Sequence, residues 1–198
     1  ARKYGLTTIT IGVPTIAYDR ESSPVKGPTE EEVKRIVAAA RAQPGAKGLR
    51  DSMMIKLAYQ LCLRSSSVVS LSMSDIDLKE RQITVIQKRL RDKRTLTIPK
   101  ILSGELEAWI KFRGRWQGPL FPSINRLGEA KGRLSERDFL EIINSAGTRA
   151  NVANMSVNRL RHTSITSAIV RARAANLPIE AVKDFTGHKD IRRLFWYQ

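Results

Sequence analysis

Ile83-Thr84-Val85-Ile86-Gln87-Lys88-Arg89-Leu90-Arg91-Asp92-Lys93-Arg94-Thr95-Leu96-Thr97-Ile98 is the stretch that decides the fold class. Two β-branched runs, 83–86 and 95–98, flank a basic connection and predict a β-hairpin. On both sides of it the apolar residues return to helical spacing. Upstream, Thr29 is followed three residues later by Glu32, a capping box that opens a helix to about Ala42, where Pro44-Gly45 ends it. A second helix is expected from about Leu49 to Leu63, on the spacing of Met53, Met54, Leu57, Ala58 and Leu61, and a short third one over about Ser66–Leu71. Downstream, helices are expected at about 101–113, 135–147, 161–175 and 178–186, with a last one near 190–197. Gly and Pro punctuate the stretch from Gly114 to Gly132. The fold class is therefore mainly α with one small antiparallel β-sheet (α+β) around a single core.

Residues 1–28 carry Pro14, Ser22, Ser23, Pro24, Gly27 and Pro28 and are expected to form an N-terminal segment, strand-like over Leu6–Val13, followed by an interdomain linker. The domain proper is expected over 29–198. The sequence begins at Ala1 rather than Met, as a fragment of a longer protein would.

The apolar share of 41% and charged share of 27% are ordinary for a globular protein, but 35 Lys and Arg against 19 acids give a net charge of +16. Such an excess on 198 residues predicts attraction to a polyanion: DNA, RNA or an anionic membrane face. Cys62 is the only cysteine, which excludes an internal disulfide, and His162 and His188 are the only histidines, which excludes a Cys/His zinc cluster. These features suit a reducing, intracellular setting. No apolar run approaches the roughly 20 residues of a membrane span, and no long basic amphipathic helix supports a membrane-surface protein.

Two places carry chemistry. The hairpin connection from Lys88 to Arg94 holds five positive charges and one negative, on a shape that suits a DNA groove. A solvated turn is the plain alternative for such a run. In the C-terminal third, Asn158-Arg159-Leu160-Arg161-His162-Thr163 leads into an apolar helix, Gly187-His188 ends another, and Tyr197 comes nine residues after His188. Arg, Lys, His and a Tyr hydroxyl suffice for phosphoryl transfer without a metal. Guanidinium groups grip non-bridging oxygens and stabilise transition-state charge, a phenol oxygen attacks, and a Lys or His moves protons. Each of these residues alone is more often structural.

Their order and spacing resemble the tyrosine recombinases of the phage integrase family. Leu61-Cys62-Leu63-Arg64-Ser65-Ser66-Ser67-Val68-Val69-Ser70-Leu71, with Ser74-Asp75-Ile76, is similar to the family's segment around its first arginine. Lys88 lies 24 residues after Arg64, near the family's catalytic lysine. Gly118-Pro119-Leu120-Phe121-Pro122 is similar to the Leu-Phe element, Asn158 to Thr163 to the His-x-Leu-Arg-His-Thr box, and Gly187-His188 with Tyr197 to the closing motif. The resemblance covers residues 29–198 and implies the catalytic domain of a DNA breaking-and-rejoining enzyme. It implies that Arg64 and Arg161 clamp the scissile phosphate, that Lys88 protonates the leaving 5′-oxygen, and that His188 hydrogen-bonds the phosphate or orients the tyrosine. Tyr197 would form a 3′-phosphotyrosyl bond, with no cofactor and no metal. Arg89, Arg91, Lys93, Arg94 and Arg159 are expected to bind DNA.

Two positions depart from the pattern. Asn158 stands where the family has histidine; its amide can donate to phosphate but cannot move a proton at neutral pH. Ser67 stands where an acid usually follows the first arginine, so Arg64 would be held by hydroxyl or backbone groups. His162 lies about 100° round the helix from Arg161 and is expected to be structural. The partners implied are double-stranded DNA and further copies of the chain, in a tetrameric synapse for the full-length protein, with this segment monomeric. The location implied is DNA-associated, in the cytoplasm or nucleoid of a prokaryotic or phage-infected cell. A type IB topoisomerase and a catalytically impaired DNA-binding module of the same fold are the competing readings.

Overall fold

The computed structural model describes residues 27–87, 92–125 and 129–197. The strand expected over 6–13, and Lys88, Arg89 and Arg91 of the hairpin connection, lie outside the described residues.

Helix α1 (Glu30–Arg41) begins where the capping box predicts: Thr29 Oγ1 accepts from the Glu32 amide at 3.0 Å and the Glu32 carboxylate accepts from the Thr29 amide at 2.6 Å. It buries Val33, Ile36, Val37 and Ala40, one helical stripe, against α2 and α5. Helix α2 (Gly45–Gln60) starts four residues before the expected Leu49. Its first turn, Gly45-Ala46-Lys47-Gly48, holds no large apolar residue for a periodicity to register. Gly48 is packed against the carbonyls of Arg41 and Gln43, where a Cβ has no room, so the α1–α2 turn is tight. Helix α2 also stops at Gln60, short of the expected Leu63, because Cys62 takes a left-handed φ of 52° and turns the chain. Buried on nearly all sides, α2 is the central helix and touches α1, α3 (Ser65–Ser70), α4 (Lys100–Arg113), α5 (Glu136–Arg149) and α6 (Val157–Ala174).

The hairpin forms as β2 (Gln82–Gln87) and β3 (Asp92–Thr97), paired Ile83 to Leu96 and Val85 to Arg94, with β1 (Ile76–Asp77) added on the far side of β2. A second, two-stranded sheet of β4 (Pro122–Ile124) and β5 (Ala130–Arg133) corrects the expectation of one sheet. All four residues of β5 are exposed, so no alternation marks it in the sequence. The stretch Gly118–Pro122 is stitched behind α3: Leu120 N donates to Leu71 O, Met73 N to Gly118 O, and the Trp109 indole to Leu120 O.

Helix α5 carries a second capping box, Ser135 with Asp138. Helix α6 starts at Val157 behind the Ser156 cap, four residues before the expected 161, and this puts Asn158 and Arg161 on one face, one turn apart. Helix α7 (Ile179–Thr186) ends in a left-handed Gly187, and a 3₁₀ segment over Ile191–Tyr197 packs back on α6 and α7. One core runs from Val33 to Leu194. Among the described residues no helix is long and apolar enough to cross a membrane.

Candidate active site

The left-handed turn at Cys62 leaves its carbonyl free to accept a hydrogen bond from Nη1 of Arg161. Arg161 opens the second turn of α6, 7% exposed, and its Nη2 donates to the carbonyl of Thr186 at 2.7 Å. One buried guanidinium thus joins the end of α2 to the end of α7. Arg64 caps α3 at the surface beside it. Among the described residues no carboxylate pairs with Arg64.

Arg94 reaches the same place from β3. Its Nη1 donates to the carbonyls of Asp184 and Phe185, at 3.2 and 3.0 Å. This differs from a side chain spread over the surface of the hairpin, as a groove-binding residue would be. The signal was in the alternation of β3: Arg94, Leu96 and Ile98 share the inward face, while Lys93 and Thr95 face out.

After α7, Gly187 at φ 68° and ψ 36° turns the chain, and His188 N donates to Lys183 O. The ring Nδ1 of His188 lies 2.6 Å from Thr186 Oγ1, whose own proton goes to Val182 O at 2.8 Å. A hydroxyl has one proton, so its oxygen accepts from Nδ1–H. In the neutral ring Nε2 then carries the lone pair. Tyr197, half-buried in the last 3₁₀ segment, sets its ring 4.9 Å from that of His162 at 38°.

The electrostatics are one-sided. Burial pushes the His188 pKa down to about 4, and the charges that add to this are the guanidinium groups of Arg161, Arg64, Arg193 and Arg94. Burial lowers Arg94 to about 10; Cys62 opposes this, and Arg161 and Arg64 push the same way as burial. Arg64 is lowered by partial burial and then by Arg161. Cations that destabilise one another in this way are relieved by an anion placed among them. The Tyr197 phenol is raised by burial, against the pull of Arg161, so it is protonated at neutral pH and must lose its proton to act as a nucleophile.

The other expected residues are placed less centrally. Asn158 is exposed, one turn before Arg161. Arg159 donates from Nη1 to Ala153 O and Asn154 O, bracing the loop ahead of α6. Lys93 is exposed on the hairpin. Sequence reasoning missed Arg193, which acts on His188 and Arg64 and which no motif marks. Among the described residues no three His, Cys, Asp or Glu converge as a metal site would require.

The family model described as the phage integrase family matches residues 28–198. The chain belongs to the phage integrase family. Within it, the type 1 fimbriae regulatory protein FimE of Escherichia coli K12 is 30% identical over 157 residues, covering 77% of this chain and 76% of FimE. The tyrosine recombinase XerA of Thermococcus kodakarensis is 28% identical over 166 residues, covering 84% of this chain and 55% of XerA. The chain therefore spans about half the length of that recombinase. A solved XerA recombinase structure superposes with a TM-score of 0.70 at 21% identity, over 88% of this chain and 60% of that one, which shows the shared fold. The small sheets set among helices are thus those of an integrase-family catalytic domain.

Proposed function

We propose that this integrase-family chain cleaves and rejoins duplex DNA through a covalent 3′-phosphotyrosyl link at Tyr197, as the catalytic domain of a site-specific recombinase. The observation that carries the reading is geometric: Arg161 joins the Cys62 carbonyl, two residues before Arg64, to the Thr186 carbonyl, two residues before His188, and Tyr197 packs on His162, the next residue after Arg161.

The roles rest on the chemistry of each group. Arg161 has five N–H donors and spends one on each of two carbonyls, leaving three for the phosphate. Its fixed guanidinium, with Arg64, stabilises charge that develops on the non-bridging oxygens. The Tyr197 oxygen bonds to phosphorus, the bond from phosphorus to the 5′-oxygen breaks, and Lys88 supplies the proton to that oxygen. Neutral His188 orients the phenol and its Nε2 takes the phenol proton as the bond to phosphorus forms, returning it when the strand is rejoined. Rejoining reverses these steps with a different 5′-hydroxyl, so the bond energy is kept and neither nucleotide nor metal is consumed. Duplex DNA and further copies of the chain are the proposed partners, and residues 29–198 the catalytic unit.

The test is covalent capture from a random duplex library carrying a nick near each candidate cleavage point, which lets the 5′ product diffuse away. The wild-type chain is expected to retain DNA after denaturation, with or without EDTA, and Tyr197→Phe to retain none. An unchanged yield in Tyr197→Phe would remove the nucleophile, and loss of the adduct in EDTA would point to a metal nuclease. Strand exchange between two captured duplexes, without relaxation of plasmids lacking that sequence, separates a recombinase from a topoisomerase.

A further inference from the structure

Helix α7 ends in three successive carbonyls, of Asp184, Phe185 and Thr186, and each is taken by an arginine from elsewhere in the fold. Arg94 of β3 holds the first two and Arg161 of α6 holds the third. A helix C-terminus carries partial negative charge on unpaired carbonyls, so cations are stable there. This end is unusual because it leads directly into the site. The next two residues are the left-handed Gly187 and His188, and the His188 ring is itself tied back to Thr186 Oγ1. The position of the imidazole is therefore fixed through the end of α7, and the end of α7 is fixed by two guanidinium groups.

We propose that Arg94 is a positioning residue for strand cleavage: by holding the Asp184 and Phe185 carbonyls it fixes the end of α7 and so sets where His188 stands against the scissile phosphate. The role differs from a groove contact by the hairpin and deepens the recombinase reading, on which its catalytic half rests. The direction of the side chain supports it. Arg94 pairs with Val85 across the hairpin and shares the inward face with Leu96, and its Nε has no hydrogen-bond partner among the described residues. A cation that sits among Arg64 and Arg161 with a bare buried N–H is held there by the carbonyls and not by an acid. The burial that lowers its pKa is the same burial that keeps water from replacing it at those carbonyls.

The test compares wild type with Arg94→Met and Arg94→Lys. Hydrogen exchange is read at the amides of Gly187 and His188, which donate to Lys183 O. Arg94→Met should exchange there at least tenfold faster, while amides inside α2 keep their rates. Arg94→Lys keeps the cation but has a single donor head in place of the planar fork, so it should recover DNA affinity to within twofold and only part of the protection. On a duplex captured from the library, Arg94→Met should form the phosphotyrosyl adduct at least tenfold more slowly at saturating DNA. Unchanged exchange at Gly187 and His188 overturns the clasp. Faster exchange with a wild-type cleavage rate overturns the positioning role. A cleavage defect abolished by saturating DNA would make Arg94 a simple phosphate contact and also overturn it. If wild type itself forms no adduct, the strand-transfer reading fails, and exchange alone decides the clasp.

Discussion

The imidazole of His162 packs against the phenol of Tyr197, ring centres 4.9 Å apart, although the two residues are 35 positions apart in the chain. Burial and the neighbouring Arg161 lower the His162 pKa, so the ring is neutral at pH 7, and its Nδ1 finds no hydrogen-bond partner among the described residues. His162 is expected to serve the phenol as a packing wall and not as a proton carrier, and substitution separates the two. A tilted aromatic pair contributes about 0.5–1.5 kcal/mol, whereas a buried polar atom left unpaired costs about 1–3 kcal/mol. His162→Phe should keep the first and remove the second, raising stability by about 1 kcal/mol with cleavage changed only a few-fold. His162→Ala should loosen the phenol and slow adduct formation roughly tenfold, as misplacement of a reacting group does. Thermal melting and single-turnover cleavage check the pair; a proton-carrying role would instead make Phe as slow as Ala.

The ring of His188 should give the domain a pH-dependent stability. Its pKa is about 4 when folded, against an ordinary histidine value of 6.5. Because the folded value is depressed, the unfolded chain takes up a proton first as pH falls. The stabilising contribution is complete above about pH 7.5, is lost between about pH 6.5 and 4, and changes no further below that. His188 is half-buried, so screening reduces the effect to on the order of 1–2 kcal/mol at low salt. Urea midpoints between pH 8 and pH 4 should show this loss in wild type and a smaller one in His188→Gln. Equal slopes for the two proteins would place the titrating group elsewhere.

Much of this was readable in the sequence, for physical reasons that differ by element. The hairpin showed because β-branched runs flank a charged connection, and α1 because its capping box is local chemistry. The first turn of α2 was missed because Gly45–Gly48 carries no large apolar residue to set a period, whereas in α6 the buried Val157 and Leu160 do stand at helical spacing and the Ser156 cap was the local signal left unread. The second sheet was missed because β5 is exposed on both faces. In the site, motif spacing named Arg64, Arg161, His188 and Tyr197, but spacing says nothing of direction. It did not tell that Arg161 spends two donors on the backbone, and the inward turn of Arg94 was visible only in the alternation with Leu96 and Ile98. The contact of His162 with Tyr197 depends on how the 3₁₀ segment returns to α6, which no local pattern encodes.

Cys62 combines a fully buried side chain with φ of 52°, the left-handed region, and its carbonyl is one of the two that hold Arg161. A non-glycine residue there is strained by about 1–2 kcal/mol. Glycine would relieve that strain but lose the buried thiol and gain unfolded-state freedom, so Cys62→Gly should change stability by no more than about 1 kcal/mol. A β-branched residue cannot take the conformation easily, and Cys62→Val should destabilise by more than about 2 kcal/mol and slow cleavage with it. Denaturant unfolding and adduct yield, read together, check this. A well-folded Cys62→Val that cleaves normally would show that the carbonyl of residue 62 does not set the place of Arg161.

Asn158 offers a gain-of-function experiment. It is exposed and lies one turn before Arg161 on the same face of α6, where the family pattern has histidine. An amide can donate to a phosphate oxygen but cannot accept the phenol proton, and Tyr197 is protonated at neutral pH because burial raises its pKa. A positioned general base contributes roughly 10²–10⁴-fold when its geometry is good. Asn158→His should therefore speed adduct formation by at least about tenfold near pH 7, with a rate that falls below about pH 6 as the new imidazole is protonated. Being on the surface, the substitution should shift stability by no more than about 0.5 kcal/mol, so the rate change can be assigned to the site. Single-turnover cleavage from pH 5 to pH 8 checks it. A rate that stays at the wild-type value across that range would mean that proton removal from Tyr197 is already served by another group, with the Nε2 of His188 the first to test by His188→Gln.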